Sequence, residues 1–338
     1  MNLPSGQRIF HRYLAELAMV WTAILVYNTI PYYHTFLNTR LQYSLLLLAA
    51  AYSVYAVHVT RIRLQKGQDT KGWMMGRYIG HLYRVLIKRK KEKANPEDRV
   101  AFLAFWVKFY FIPVMMNFSY RNLANLKYYS LQLLADSNQF SATISYFNTQ
   151  LFPLLVSVCY VTLTGIYLFG YIVESPALNN KVKSVDPSLF GWAVTLACYP
   201  PFSNFISRHI RFEININASF GNEVTTFIVR ILMLALMGLM FWSVGVLGTK
   251  CSNLTNRGII TNGPYRWLRH PHYTAKNLMW WCTILPAVPE RPIVILFLAM
   301  WTAIYILRGL TEEKHLMSDP EYQAYCEKVK WKFFPGIW

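Results

Sequence analysis

The chain has 338 residues, of which 54 % are hydrophobic, 16 % aromatic and only 15 % charged, a balance outside that of ordinary soluble domains. A formal charge of +18 would suit a nucleic-acid partner, but the Lys and Arg residues gather at the ends of apolar runs and not along one soluble face, which argues against nucleic acid and follows the positive-inside rule instead. The five cysteines, Cys159, Cys198, Cys251, Cys282 and Cys326, have no C-x-x-C spacing, so neither a disulfide framework nor a zinc site is expected.

A helix needs about 20 apolar residues to cross a hydrocarbon core of ~30 Å. Runs of that kind lie at Leu14–Ile30, Leu41–Thr60, Val100–Phe118, Leu151–Val173, Leu189–Ile206, Val224–Leu247 and Pro292–Leu307, with a shorter one at Tyr273–Val288. The expected fold is all-α: a polytopic helical membrane protein of about seven to eight transmembrane helices, closed by a C-terminal helical hairpin and an amphipathic tail helix. Glu16 within the first run, its length and the lack of a small-x-small site after it predict a first span and not a cleaved signal peptide. Residues 1–225 are expected to form an N-terminal membrane region of about five spans that shapes a substrate chamber. Residues 226–338 form the remaining region.

Between the second and third runs the basic residues are dense, from Arg61 and Arg63 through Lys88-Arg89-Lys90-Lys91 to Arg99, whereas residues 119–150 carry only Arg121 and Lys127. This asymmetry predicts a cytoplasmic Arg61–Arg99 segment. Counting spans onward puts residues 248–272, both termini and the candidate site on the same side. Within the segment, Arg77–Lys93 places Tyr78, Leu82, Val85 and Leu86 on one helical face amid basic residues, the pattern of a helix lying in a membrane interface. Pro200-Pro201, followed by Ser203 and Asn204, predicts a break in the fifth run. Lys108 and Arg230 fall inside apolar runs, where a charge either serves a site or snorkels to headgroups. Asn-x-Ser/Thr triplets at Asn117, Asn217 and Asn253 are short matches of little weight.

The densest polar chemistry is NGPYRWLRHPHYTAKN, residues 262–277. Pro271 cannot donate a backbone hydrogen bond and pushes His270 out of the helical region, so a helix should start there with its first N–H groups open to a carboxylate or phosphate. Tyr273, Lys276, Asn277 and Trp280 follow at spacings of three and four and share one face. The return arm ends with Arg308 one turn before Glu312, an i,i+4 pair, and with Glu312 beside Glu313. In the tail, Asp319 as N-cap, Pro320 at the first helical position and the stripe Tyr322, Tyr325, Cys326 and Val329 predict an amphipathic helix able to cover the hairpin mouth.

Gly263-Pro264-Tyr265, the sequence Arg269-His270-Pro271-His272-Tyr273 and the pair Glu312-Glu313 resemble the R-H-P-x-Y and E-E signature of integral-membrane methyltransferases, among them isoprenylcysteine carboxyl methyltransferase and phospholipid methyltransferases. The resemblance runs from about residue 250 to 338 and implies that residues 226–338 are a methyltransferase-like cofactor-binding region. It implies S-adenosylmethionine bound between the last hairpin and the tail, with a lipophilic or lipid acceptor entering from the bilayer. It also assigns Arg269, His270 and the helix start to the cofactor's carboxylate end, and Glu312 and Glu313 to its ammonium or ribose hydroxyls. Tyr265, Tyr273 and Trp280 would supply aromatic faces, and Asn277 and Arg308 complete the expected cofactor-binding set. The family usually has Gly where this chain has Ala275, followed here by Lys276-Asn277.

Methyl transfer needs an in-line nucleophile about 3–3.5 Å from the methyl carbon, and little acid–base work if that nucleophile is already an anion. An amine or phenol acceptor would need a base, for which Lys276 is the candidate if burial depresses its pKa. Lys276 and Glu313 are therefore the expected catalytic residues. Two alternatives stay open at this level. Sterol-type reductases share an R-H-P-x-Y core and a similar tail but resemble NADPH users. A non-enzymatic carrier lined by the broken fifth helix is the third reading, although no half-and-half repeat supports it.

Overall fold

The computed structural model describes residues 5–135, 143–210 and 218–337. The Asn-x-Ser/Thr triplet at Asn217 lies outside the described residues. The helices in chain order are α1 (Ser5–Thr29), α2 (Pro31–Phe36), α3 (Thr39–Gln65), α4 (Lys71–Leu86), α5 (Pro96–Ala135), α6 (Ile144–Tyr146), α7 (Phe152–Ile172), α8 (Leu189–Ala197), α9 (Asn204–Ile210), α10 (Glu223–Leu247), α11 (Pro271–Ile284), α12 (Ile293–Leu316) and α13 (Pro320–Lys328). A π-helical turn, Phe147–Leu151, joins α6 to α7. The fold is an all-α polytopic membrane fold. Among the described residues six helices are long and apolar enough to cross a membrane: those containing α1, α3, α5, α6–α7, α10 and α12. The other two expected runs are shorter. Leu189–Ile206 is split into α8 and α9 around Pro200-Pro201, where the missing N–H and the ring geometry interrupt the helix, and α11 has 14 residues.

The chain forms two compact units, residues 1–113 and 114–338. In the first, α4 docks on α1 through polar groups in an otherwise apolar setting. Glu16 is buried. It accepts hydrogen bonds from the Gly72 amide at 2.9 Å and the Tyr52 hydroxyl at 3.1 Å. Gly72 is the second residue of α4, so this carboxylate satisfies an orphan donor at the positive end of a helix. A Cβ at Gly72 would lie 2.3 Å from the Ala15 carbonyl oxygen, which is why the close approach needs glycine. Nearby, Asp69 receives Arg12 at 2.8 Å and also pairs with Arg77, whose guanidinium forks onto Asp98 at 2.6 and 2.9 Å. Helix α4 stops at Leu86, short of the expected Lys93, and leaves Tyr83 and Leu86 exposed.

In the second unit α10 is the spine, packed on one side by α7 and on the other by α11, which pairs in turn with α12. Phe152, Val156, Met233, Met237, Met240, Ala275 and Met279 form a continuous buried cluster, the all-round apolar surface expected of helices buried in lipid and protein together. Arg230, flagged as an intramembrane charge, is buried. Its guanidinium donates to the carbonyls of Asn148 and Ala218 and lies 4.8 Å above the Phe152 ring, so it holds the start of α7 to α10 and does not snorkel. Since α7, α8 and α9 all precede residue 226, the compact unit that carries the site begins well before that position.

Two loops complete the unit. Ser184-Val185 (β1) and Thr255-Asn256 (β2) form a two-residue antiparallel ladder. Asn180, fully buried, donates to the Val173 carbonyl at 2.9 Å, and Arg257 donates to the Gly170 carbonyl at 2.7 Å. These bonds fix the 248–260 loop over the end of α7.

Candidate active site

Pro271 opens α11 as the sequence requires, with His270 as its extended cap. The helix start does not wait for a ligand at every donor, however. The Arg269 amide donates to the Trp331 carbonyl at 3.0 Å and the His270 amide to the Lys332 carbonyl at 2.9 Å, and the Thr274 hydroxyl reaches the Phe333 carbonyl at 2.8 Å. The tail thus runs alongside the R-H-P motif as an added strand would. The Arg269 guanidinium is committed to the same job, donating to the carbonyls of Val329 at 2.7 Å and Cys326 at 3.1 Å. The His270 ring stacks between Phe333, 4.9 Å away, and Tyr273, 5.5 Å away. Gly309 makes room for this arrangement, because a Cβ there would stand 2.7 Å from the Phe333 ring.

The two glutamates have different surroundings. Glu313 is buried and faces Arg269 at 3.4 Å, His270 at 3.2 Å and Lys332 at 3.6 Å. It does not line either of the large cavities described below. Glu313, an expected catalytic residue, is thus placed among three positive or donor groups that join the hairpin to the tail. Glu312, one residue earlier and so rotated about 100° around the helix, accepts the Tyr273 hydroxyl at 2.7 Å through Oε2 and lines the cavity. The expected Arg308–Glu312 pair is also corrected. Arg308 turns instead to the Asn253 side chain and to the Tyr199 hydroxyl at 3.4 Å, with its guanidinium 5.0 Å over Tyr273 and 5.5 Å over Tyr305.

Beneath the tail lies a cavity of about 880 Å³, its mouth included, walled by the 250–260 loop and by Tyr265, Arg269, His270, Tyr273, Arg308 and Glu312. Helix α13 covers it. Tyr322, Tyr325 and Val329 are buried against Ile259, Tyr265 and Leu316, the Tyr325 hydroxyl donates to the Tyr265 carbonyl at 2.6 Å, and Asp319 both caps α13 and accepts from Asn256 at 2.7 Å. A second, larger cavity of about 1,920 Å³, again with its mouth, opens among α5, α7, α10, α11 and α12, with Met and Phe side chains on one wall and a polar stripe on the other. Tyr167, His272 and Arg308 line both.

Of the residues expected to bind a cofactor, six therefore gather around one cavity. Trp280 does not, and neither does Lys276, the expected base. They line the larger chamber, the Lys276 ammonium 5.0 Å above the Trp280 ring. Asn277 lines neither cavity. Its side chain donates back to the Tyr273 carbonyl at 2.8 Å, since a position one residue past Lys276 is turned about 100° further around α11. Ala275 is fully buried in the cluster with Met237, Met240 and Cys251, so the small side chain serves contact between α11 and α10 and not contact with a ligand.

Sequence reasoning missed Asn253, Arg257, His272, Tyr167 and Tyr199. The sequence did carry one signal. KCSNLTNRG, residues 250–258, is a polar block between apolar runs, and Asn253 was read there only as a sequon. Asn253 is instead buried, bonded to Arg308 and the Tyr199 hydroxyl, its amide accepted by the Tyr171 hydroxyl at 2.9 Å. Cys251 is also on the wall, and burial pushes its thiol up to about 12.

The cavity offers a mixed set of charges. Arg308 and Glu312 oppose each other in sign, Glu312 keeps Oε1 for a ligand donor, and Arg257 Nε and His272 Nδ1 are buried with no hydrogen-bond partner among the described residues. Orphan polar atoms on a cavity wall call for a ligand or water. Residues 224–319 match the phospholipid methyltransferase family model. That stretch holds the R-H-P-x-Y motif, the 250–260 loop and both glutamates, and it stops at the cap of α13. A search of curated proteins finds no match to the chain.

Proposed function

We propose that the protein is an integral-membrane S-adenosylmethionine-dependent methyltransferase with a lipophilic acceptor, the donor bound beneath the tail and the acceptor in the larger chamber. The observation that supports this most is the shared wall: Tyr167, His272 and Arg308 border both cavities, so two ligands could meet there while entering by separate routes. The family match of residues 224–319 supports methyl transfer as the chemistry.

The donor fits what the walls provide. A zwitterionic arm meets charges of both signs at Arg308 and Glu312, ribose hydroxyls can donate to Glu312 Oε1, and Tyr265, Tyr322 and Tyr325 offer aromatic and polar edges to a purine. When bound, the cofactor supplies an electrophilic methyl on a sulfonium. The chain supplies position and dryness. Arg308, held by Asn253 and Tyr199, cannot swing away from the junction. Tyr273, fixed by Glu312, holds one edge of the wall. The tail, pinned through Arg269 and Glu313, closes the cavity from water and so strengthens each polar contact inside. Catalysis of this kind is mostly orientation. The basic Arg61–Arg99 segment supports a cytoplasmic location for the site.

Isothermal titration with S-adenosylhomocysteine tests the donor site. Binding should weaken at least tenfold in Glu312→Gln, the loss of about one charged hydrogen-bond acceptor. An affinity unchanged in both Glu312→Gln and Arg308→Met, or no binding by the unmodified protein, would remove the proposal.

A further inference from the structure

We infer that the outer surface of the tail is a docking face for anionic lipid headgroups, which ties the lid over the smaller of the two cavities to the membrane surface. The inference concerns the lid alone and holds whatever the cavity binds. Val329 and Phe333 of the tail are buried, but Trp331, Phe334 and Ile337 are 39 %, 40 % and 81 % exposed. Lys328 and Lys330 are exposed beside them. Large apolar side chains set among cations, on a segment that follows the last long helix, have the chemistry of a membrane-contacting surface.

The membrane boundary passes close to this face. Trp242 lies about 8 Å before the end of α10, at ~1.5 Å per residue, and α10 is one of the helices long and apolar enough to span. Its indole meets that of Trp267 edge to face at 5.7 Å, and the Arg266 guanidinium lies 4.1 Å over Trp267. Trp267 is itself 48 % exposed. Just beyond it, the Arg269 amide donates to the Trp331 carbonyl at 3.0 Å. The tail is thus stitched to the chain beside a tryptophan pair near the end of a span, the depth at which indoles settle between headgroups and hydrocarbon. Charge selects the occupant. Past Cys326 the tail carries Lys328, Lys330 and Lys332 against Glu327 alone. Lys332 is engaged by Glu313 at 3.6 Å, whereas Arg266, Lys328 and Lys330 stand at the surface. Zwitterionic headgroups offer these cations no net charge, while an anionic surface strengthens binding roughly fivefold for each Lys or Arg brought near it.

The test uses the full chain in lipid nanodiscs made of equal parts phosphatidylglycerol and phosphatidylcholine with the same acyl chains. The photoreactive residue p-benzoylphenylalanine replaces Phe334, whose exposed side chain can be exchanged without disturbing the buried face of the tail, and mass spectrometry identifies the adducts. Phosphatidylglycerol should be captured about fivefold or more over phosphatidylcholine at low salt. The excess should fade toward parity near 1 M salt, where the screening length falls to ~3 Å. A double variant, Lys328→Gln with Lys330→Gln, should give parity already at low salt. The same probe in place of Leu47, exposed on the spanning helix α3, meets acyl chains and should show no preference. Parity for the unmodified tail, an excess that survives the double variant, or adducts to a second copy of the chain in place of lipid overturns the inference. Titration of S-adenosylhomocysteine plays no part in this readout, so the docking face and the methyl-transfer reading stand or fall separately.

Discussion

Replacing Glu313 by Gln should open the tail while leaving the hairpin folded. The carboxylate has contacts at 3.2, 3.4 and 3.6 Å to His270, Arg269 and Lys332, and only 9 % of its side chain is exposed. Hydrogen bonds to charged groups contribute about 1.5–3 kcal/mol each at good geometry, and with two of the three contacts at 3.4 Å or longer the cluster as a whole is worth about one such bond, about 2–3 kcal/mol. At about 1.4 kcal/mol per factor of ten, the closed tail should lose roughly 30- to 140-fold in its equilibrium. The readout is hydrogen exchange in a peptide spanning residues 266–275, where the Arg269 and His270 amides are protected only by the Trp331 and Lys332 carbonyls. Their exchange should speed up by that factor. Unchanged exchange there, together with lost methyl transfer, would mean that Glu313 acts in the chemistry and that the latch reasoning is wrong.

The remaining predictions follow from neighbouring contacts. Gly309→Ala should displace Phe333 and cost about 1–3 kcal/mol of tail closure by overpacking, with Phe333→Leu restoring S-adenosylhomocysteine affinity in the double variant; lack of rescue would point to another cause. Gly72→Ala should lower the melting temperature, since its Cβ would meet the Ala15 backbone oxygen at 2.3 Å, yet leave cofactor affinity intact. Asp319 is held below the usual carboxylate range; its burial opposes this, but Asn256, the Glu321 amide and Lys183 outweigh it. A depressed folded pKa gives stability that is complete above the unfolded value of about 3.9 and is lost as pH falls through the folded value. Brief pepsin treatment near pH 3 should therefore cut α13 faster than in Asp319→Asn measured against its own neutral-pH control, and equal acid sensitivity would contradict the assignment.

Much of the frame was legible because lipid imposes a simple code. Length and apolarity alone locate the six long helices, and Pro200-Pro201, Pro271 and Asp319-Pro320 mark the breaks and starts that the structure has at those positions. Helical periodicity also put Tyr322, Tyr325 and Val329 on one buried face. The code fails where partners come from far along the chain. Glu312 and Glu313 are adjacent letters, yet one meets Tyr273 and the other a latch of three residues, because a single step around a helix changes the neighbour. The face shared by Tyr273, Lys276, Asn277 and Trp280 was drawn too wide for the same reason. Asn253 and Tyr199, which hold Arg308, sit in a loop and beside a helix break, where no period exists to read.

The central claim is that a donor cavity and an oily acceptor chamber meet at Tyr167, His272 and Arg308. Purified protein incubated with methyl-labelled S-adenosylmethionine and native membrane lipid extract, with the products resolved by mass spectrometry, tests it directly. The account predicts label in a lipophilic product, lost in Glu312→Gln. Label confined to water-soluble products, or no transfer to any lipid by protein that binds S-adenosylhomocysteine, would contradict it.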